Sequence, residues 1–254
     1  MLLVLGGGLA LMFIVAPLLS LFLQTSPTSF FETAKDTEVQ LSIGRTLLIS
    51  FLGTLVLAVF AIPLAYLLAR KNFPGKKLII SFIDLPIIIP HSAAGIALLG
   101  FISRDTVVGK FASFFGIELV GNPVGIAMAM AFVSIPFLIN AARDGFLAVP
   151  RRFEHAARNL GASPARVFFT ISLPLAWRNI LSGLVLMFGR GMSEFGAVVI
   201  IAYHPMITPV LIYERFTQFG LKYAQPVSAV FILICLAFFI LFRMLTLKTD
   251  KQNA

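Results

Sequence analysis

The sequence predicts an all-α integral membrane protein with six transmembrane helices and a two-helix cytoplasmic loop, and three observations lead there. Hydrophobic residues make up 59% of the 254 and charged ones only 12%, with a mean hydropathy of +0.96, too apolar for a core wrapped in a wetted surface. Six runs are long enough to cross a hydrocarbon core of about 30 Å, which takes roughly 20 residues of helix. The Lys and Arg residues gather between alternate runs.

The runs lie near residues 2–23, 46–69, 78–102, 123–142, 179–203 and 226–247. Each is continuously apolar, without the alternation of barrel strands, so helices are expected. The first run is too long for the apolar stretch of a secretory signal and has no basic flank before it, so it reads as a retained helix. Within the third, Pro86 and Pro90 are expected to break the helix. Cys235 sits in the sixth run as a small buried hydrophobe. The short connections leave no room for a separate soluble domain, and residues 1–254 are expected to form one transmembrane domain.

Basic loops resist translocation, which fixes the orientation. Arg70, Lys71, Lys76 and Lys77, then Arg143, Arg151, Arg152, Arg158, Arg166 and Arg178, and finally Arg243, Lys248 and Lys251 define the cytoplasmic side. The other side carries Lys35, Arg45, Arg104, Lys110, Arg215 and Lys222, diluted by six acidic residues. An even number of spans puts both termini in the cytoplasm. The net charge of +9 is therefore mostly a topology signal; the aromatics lie in the apolar runs instead of interleaving a cationic face, so nucleic acid is not an expected partner.

The longest cytoplasmic connection predicts its own structure. Phe153, Ala156, Ala157 and Leu160 fall at i, i+3, i+4 and i+7, giving an apolar face to a short helix near 151–160, with Arg151, Glu154 and Arg158 more exposed. Gly161 closes that helix in a left-handed turn. Ser163 caps and Pro164 starts a second short helix through Val167, Phe168 and Ile171, which Pro174 ends before the next span. Such a hairpin either lies on the bilayer surface or docks another protein.

Ionisable residues inside spans are costly unless paired or wet. Arg190 and Glu194 stand at i and i+4 on the fifth run, near Ser193, and Gly189, Gly191 and Gly196 beside them allow close approach of backbones or local bending. The pair reads either as a lock between helices or as a contact on a substrate path. Asp84 is expected to be satisfied by backbone amides freed at the proline break, and His91 by a hydrogen bond. No second ligand stands at metal spacing from His91, so no metal site is expected.

Catalytic signals are lacking. Gly191, Ser193 and Gly196 form G-x-S-x-x-G, which is not a nucleophile elbow and follows no strand. Gly75-Lys76 and Gly109-Lys110 lack both the earlier glycine and the following Ser or Thr of a phosphate-binding loop, so any ATP must be used by another chain.

The spacing A-A-x3-G-x9-I-x-L-P, formed by Ala156, Ala157, Gly161, Ile171, Leu173 and Pro174, resembles the signature loop of ABC importer permeases. Members usually carry glutamate just before the two alanines; here His155 stands there and Glu154 one place earlier. The stretches 84–99, 190–203 and 204–216 are similar to molybdate, tungstate and sulfate permeases, with Tyr203-His204-Pro205-Met206 and Tyr213-Glu214-Arg215 closer to the molybdate/tungstate branch. The resemblance implies a non-enzymatic permease, working as a homodimer embedded in lipid, that imports a tetrahedral oxyanion. It implies a cytoplasmic ABC ATPase, which would use ATP and Mg, docked on residues 151–174. It also implies an extracytoplasmic substrate-binding protein. A sulfate permease is the near alternative; an ion-coupled secondary transporter using Asp84, His91, Arg190 and Glu194 is the distant one.

Overall fold

The computed structural model describes the backbone of residues 2–251 and, toward the two ends, the side chains of residues 5–242 and 244. Arg243, Lys248 and Lys251, counted above on the cytoplasmic side, lie outside the described side chains, and residues 1 and 252–254 outside the described residues.

Among the described residues all regular structure is helical. In chain order the helices are α1 (Leu2–Gln24), α2 (Pro27–Lys35), α3 (Thr37–Arg70), α4 (Lys76–Ile88), α5 (His91–Ile102), α6 (Val107–Phe114) and α7 (Pro123–Ala148). Next come α8 (Arg151–Asn159), α9 (Pro164–Val167), a π-helical turn (Phe168–Ser172) and α10 (Leu173–Met192). The chain then forms α11 (Val198–Ile201), α12 (Thr208–Phe219) and α13 (Leu221–Lys251). Five helical segments are individually long and apolar enough to span a bilayer, and α4 with α5 makes a sixth if that bent pair is one span.

By internal packing the chain divides into two compact units, Met1–Arg45 with Met206–Phe238, and Thr46–Pro205 with Phe239–Ala254. In the first, Arg215 reaches Asp36 at 3.0 Å and Glu38 at 2.5 Å, and buried Ser42 and Thr208 approach to 3.4 Å. Ser26 caps α2 through the amide of Ser29, with Pro27 at the first helical position.

The second unit is built around α7 and α10. Small residues let their backbones approach: a Cβ on Gly183 would lie 2.9 Å from that of Ala141, and one on Gly145 only 2.5 Å from that of Asn179. Ala61, Ala65 and Leu68 of α3 pack into the same core with Leu138, Ala142, Phe146, Ile180 and Met187. This is membrane-style packing, in which close fit replaces the hydrophobic drive that lipid cannot supply.

Four expectations need correction. The 78–102 run breaks as expected, α4 and α5 meeting at Ile89–Pro90 with a bend of 116°, but not at both prolines. Pro90 causes the break, whereas Pro86 is accommodated within α4. The fifth run is also interrupted, because α10 ends at Met192 and helix resumes only at Val198, after Ser193–Ala197. Pro174 does not terminate the second loop helix. The chain is helical from Pro164 to Met192, and Pro174 sits where the wider π turn passes back into α-helix, so its ring and missing N–H are absorbed there. Finally, Glu154, expected to be exposed with Arg151 and Arg158, is buried at 6% exposure, while those two arginines are exposed together with Phe153 and Leu160.

Candidate functional site: a braced loop and a charged helix break

The loop from Arg151 to Pro174 has the local structure its capping residues dictate. Gly161 adopts φ +87° after α8, a conformation that favours glycine, and the amides of Gly161 and Ala162 bond back to the carbonyls of Arg158 and Ala157. Ser163 Oγ accepts the Arg166 amide at 3.3 Å, and Pro164 begins α9.

What braces the loop is Glu154. Its Oε1 accepts from Arg70 Nε at 2.7 Å and from the Ser172 hydroxyl at 2.7 Å, and its Oε2 lies 3.4 Å from the Tyr66 hydroxyl. Arg70 also donates to the Val149 carbonyl at 3.0 Å. One carboxylate thus ties α8 to the end of α3 and to the π turn leading into α10. Phe168 adds an aromatic contact, its ring centroid 4.9 Å from Tyr66 and 6.0 Å from Phe146. The buried charge is tolerated because it is paired and hydrogen-bonded. The outward surface carries Arg151, Phe153, His155, Ala156 and Leu160, all exposed, with Ala157 and Ile171 half-buried. The expected apolar face therefore exists, but it is unpartnered within the described chain.

Deeper in the same unit a second cluster forms where the two helix breaks meet. Gly95 and Gly196 make this possible: a Cβ on Gly95 would stand 2.9 Å from Ala197 Cα, and one on Gly196 2.7 Å from His91 Cβ. Glu194 is fully buried; its Oε1 accepts the Ala197 amide at 2.9 Å, and its Oε2 meets His91 Nδ1 at 2.6 Å and Arg190 Nη2 at 3.0 Å. Arg190 Nη2 also lies 2.8 Å from both ring nitrogens of His91, so the guanidinium stands against the imidazole ring while Nδ1 meets the Glu194 carboxylate. Arg190 Nη1 donates to Ser193 Oγ at 3.2 Å. The i, i+4 pair is present, but Glu194 lies just past the helix end, where it satisfies a freed amide.

Asp84 is not held by freed amides as expected; it accepts from Asn140 Nδ2 of α7 at 2.6 Å. Asn140 was missed because nothing in its local sequence marks it as a partner 56 residues away. Arg70 and Ser172 were missed for the same reason: they become partners of Glu154 only in three dimensions. Of the glycines singled out, Gly191 and Gly196 sit against other segments, whereas Gly189 has open space beside it. Among the described residues no group of three or more His, Cys, Asp or Glu could hold a metal ion.

Residues 61–251 match the family described as binding-protein-dependent transport system inner membrane component. The chain belongs to that family. It is accordingly a multi-pass inner-membrane transport subunit and not an enzyme. It is 45% identical over 209 residues to the molybdate/tungstate transport system permease protein WtpB of Methanocaldococcus jannaschii, covering 82% of each chain. The WtpB permease of Pyrococcus abyssi is 40% identical over 247 residues, 96% of this chain and 94% of the relative. A sulfate transport system permease protein CysT of Synechococcus elongatus is further away, at 31% over 244 residues, 93% of this chain and 88% of that one. In fold, the chain is similar to a bacterial ABC transporter involved in import of the acidic polysaccharide alginate, with a TM-score of 0.75, 18% identity and coverage of 97% and 94%.

Proposed function

We propose that this chain is the membrane-spanning subunit of an ATP-driven importer of molybdate or tungstate, working as a homodimer with both termini in the cytoplasm. The observation that carries the coupling role is the loop at 151–174, whose exposed Phe153 and Leu160 are held out while Glu154 anchors the helix from beneath. The substrate reading is supported by 40% identity to a molybdate/tungstate permease along 96% of the chain.

In this reading a cytoplasmic ABC ATPase, using ATP and Mg, receives α8 and the Gly161 turn. An extracytoplasmic binding protein delivers the oxyanion on the other side. Closure of the ATPase pair pushes α8. Because Glu154 ties α8 to α3 and to the π turn, the push reaches α10 without being lost in a flexible loop. Each partner favours one conformation of the permease, so coupling is a difference in binding between two states. Asp84, bonded to Asn140, and the cluster of His91, Arg190 and Glu194 act as locks that hold broken helices in register.

Two experiments test this. The permease should co-purify with its ATPase subunit, and Gly161→Val, which forces a β-branched residue into φ +87°, should abolish that association while the protein still inserts in the membrane. Uptake that persists without any ATPase would sink the importer reading. Reconstitution with ATPase and binding protein should give faster uptake of molybdate or tungstate than of sulfate. Equal or faster sulfate uptake would move the chain to the sulfate branch.

A further inference from the structure

The charged cluster at the helix breaks is one-sided in a way that a simple lock does not require. The Glu194 side chain has no exposure, yet that of Arg190 is 24% exposed, that of His91 36%, and Ser193 is exposed. Glu194 and His91 occupy Nη2 of Arg190, while the Nη1 edge meets, among the described residues, the Ser193 hydroxyl, which donates in turn to the Arg190 carbonyl at 3.0 Å and would rotate its proton toward an anion.

Depth gives this open edge its meaning. Counting inward from the basic flanks at 1.5 Å per residue, Lys77 to Ile88 and Arg178 to Arg190 each cover about 16–18 Å, roughly half of a ~30 Å hydrocarbon core. Both breaks therefore reach the bilayer's middle. A guanidinium open to lipid there is strongly disfavoured, so its free edge faces water or protein. Broken helices at mid-membrane that turn polar groups to a cavity are a recurrent way of receiving an ion.

We propose that Arg190 Nη1 and Ser193 Oγ form a transient contact for a tetrahedral oxyanion on the translocation path. Glu194 is its internal counter-charge. By neutralising the guanidinium from behind, the carboxylate lets the site attract a dianion without holding it, and the Ala197 amide fixes Glu194 so that it cannot swing out and block the path. His91, bonded to both, is the positioning residue that keeps the Nη1 edge outward. This assignment rests on the oxyanion reading of the chain.

The test is uptake of radiolabelled molybdate by the wild-type permease, reconstituted with its ATPase and binding protein, beside Ser193→Ala, Ser193→Thr and Glu194→Gln. Ser193→Ala should lower maximal uptake about tenfold, the loss expected for one hydrogen bond to an anion. The half-saturating concentration should not change, because it is set by the external binding protein and not by a contact inside the membrane. Ser193→Thr should restore uptake. Glu194→Gln should also lower maximal uptake, since the anion is then held and leaves slowly. Wild-type uptake in Ser193→Ala, or uptake that Ser193→Thr does not restore, overturns the contact. A wild-type complex that carries no tetrahedral oxyanion overturns instead the substrate reading on which the contact depends.

Discussion

Glu154 and His155 are neighbours with opposite fates, and the difference decides what each can do. Glu154 is paired with Arg70 while both side chains are under a tenth exposed, so neutralising the carboxylate strands a buried guanidinium. Removing one partner of a buried pair costs about 3–5 kcal/mol. Glu154→Gln keeps the shape and some hydrogen bonding, so about 2–3 kcal/mol is expected, seen as a lower thermal midpoint of the purified permease. His155 is exposed, and His155→Ala should change stability by less than about 0.5 kcal/mol. If His155 replaces the usual acidic contact with the ATPase, that variant should weaken co-purification while leaving the midpoint alone. An unchanged midpoint in Glu154→Gln would mean that the Arg70 network is not holding the loop.

Among the helices, local signals were legible and distant ones were not. Gly161, Ser163 and Pro164 announced the loop's turn and second helix because caps act within four residues. Pro174 misled, since a proline ends a helix only where no wider turn absorbs it, and the π turn at Phe168–Ser172 leaves no mark in composition. Hydropathy located the fifth run but not its break at Ser193–Ala197, because apolar residues continue on both sides. The burial of Glu154 has the same origin: periodicity marks it as polar, yet its partners Arg70 and Ser172 lie on other segments. The α7–α10 packing offers a test at this scale. Gly183→Leu would drive a side chain into Leu138 and Ala141, where even a Cβ lies 2.9 Å from its neighbour. Overpacking of this kind costs about 1–3 kcal/mol, and the folded peak in size-exclusion chromatography should shrink. Gly100→Ala, with open space on α5, should leave that peak unchanged.

For the whole molecule the decisive question is how often the chain crosses the bilayer, because α4 and α5 bend by 116° and count as one span only if they cross together. Charge favours a crossing. The segment before α4 carries Arg70, Lys71, Lys76 and Lys77, whereas the stretch after α5 has Arg104 and Lys110 against Asp105 and Glu118, with Arg104 paired to Glu118. Such a stretch resists translocation far less than a basic one. The pair's lengths argue the other way: 13 and 12 residues of helix give about 20 and 18 Å, and at a bend of 116° their far ends lie only about 20 Å apart, short of a ~30 Å core, so a crossing must draw on the flanking segments and rests on the charge pattern. In a Cys235→Ala background, Asp105→Cys should therefore react with a membrane-impermeant thiol reagent added outside intact cells. Arg158→Cys, on α8, should react only after the membrane is opened. If Asp105→Cys were instead protected until lysis, α4 and α5 would form a re-entrant loop, the count would drop to five, and the termini would face opposite sides.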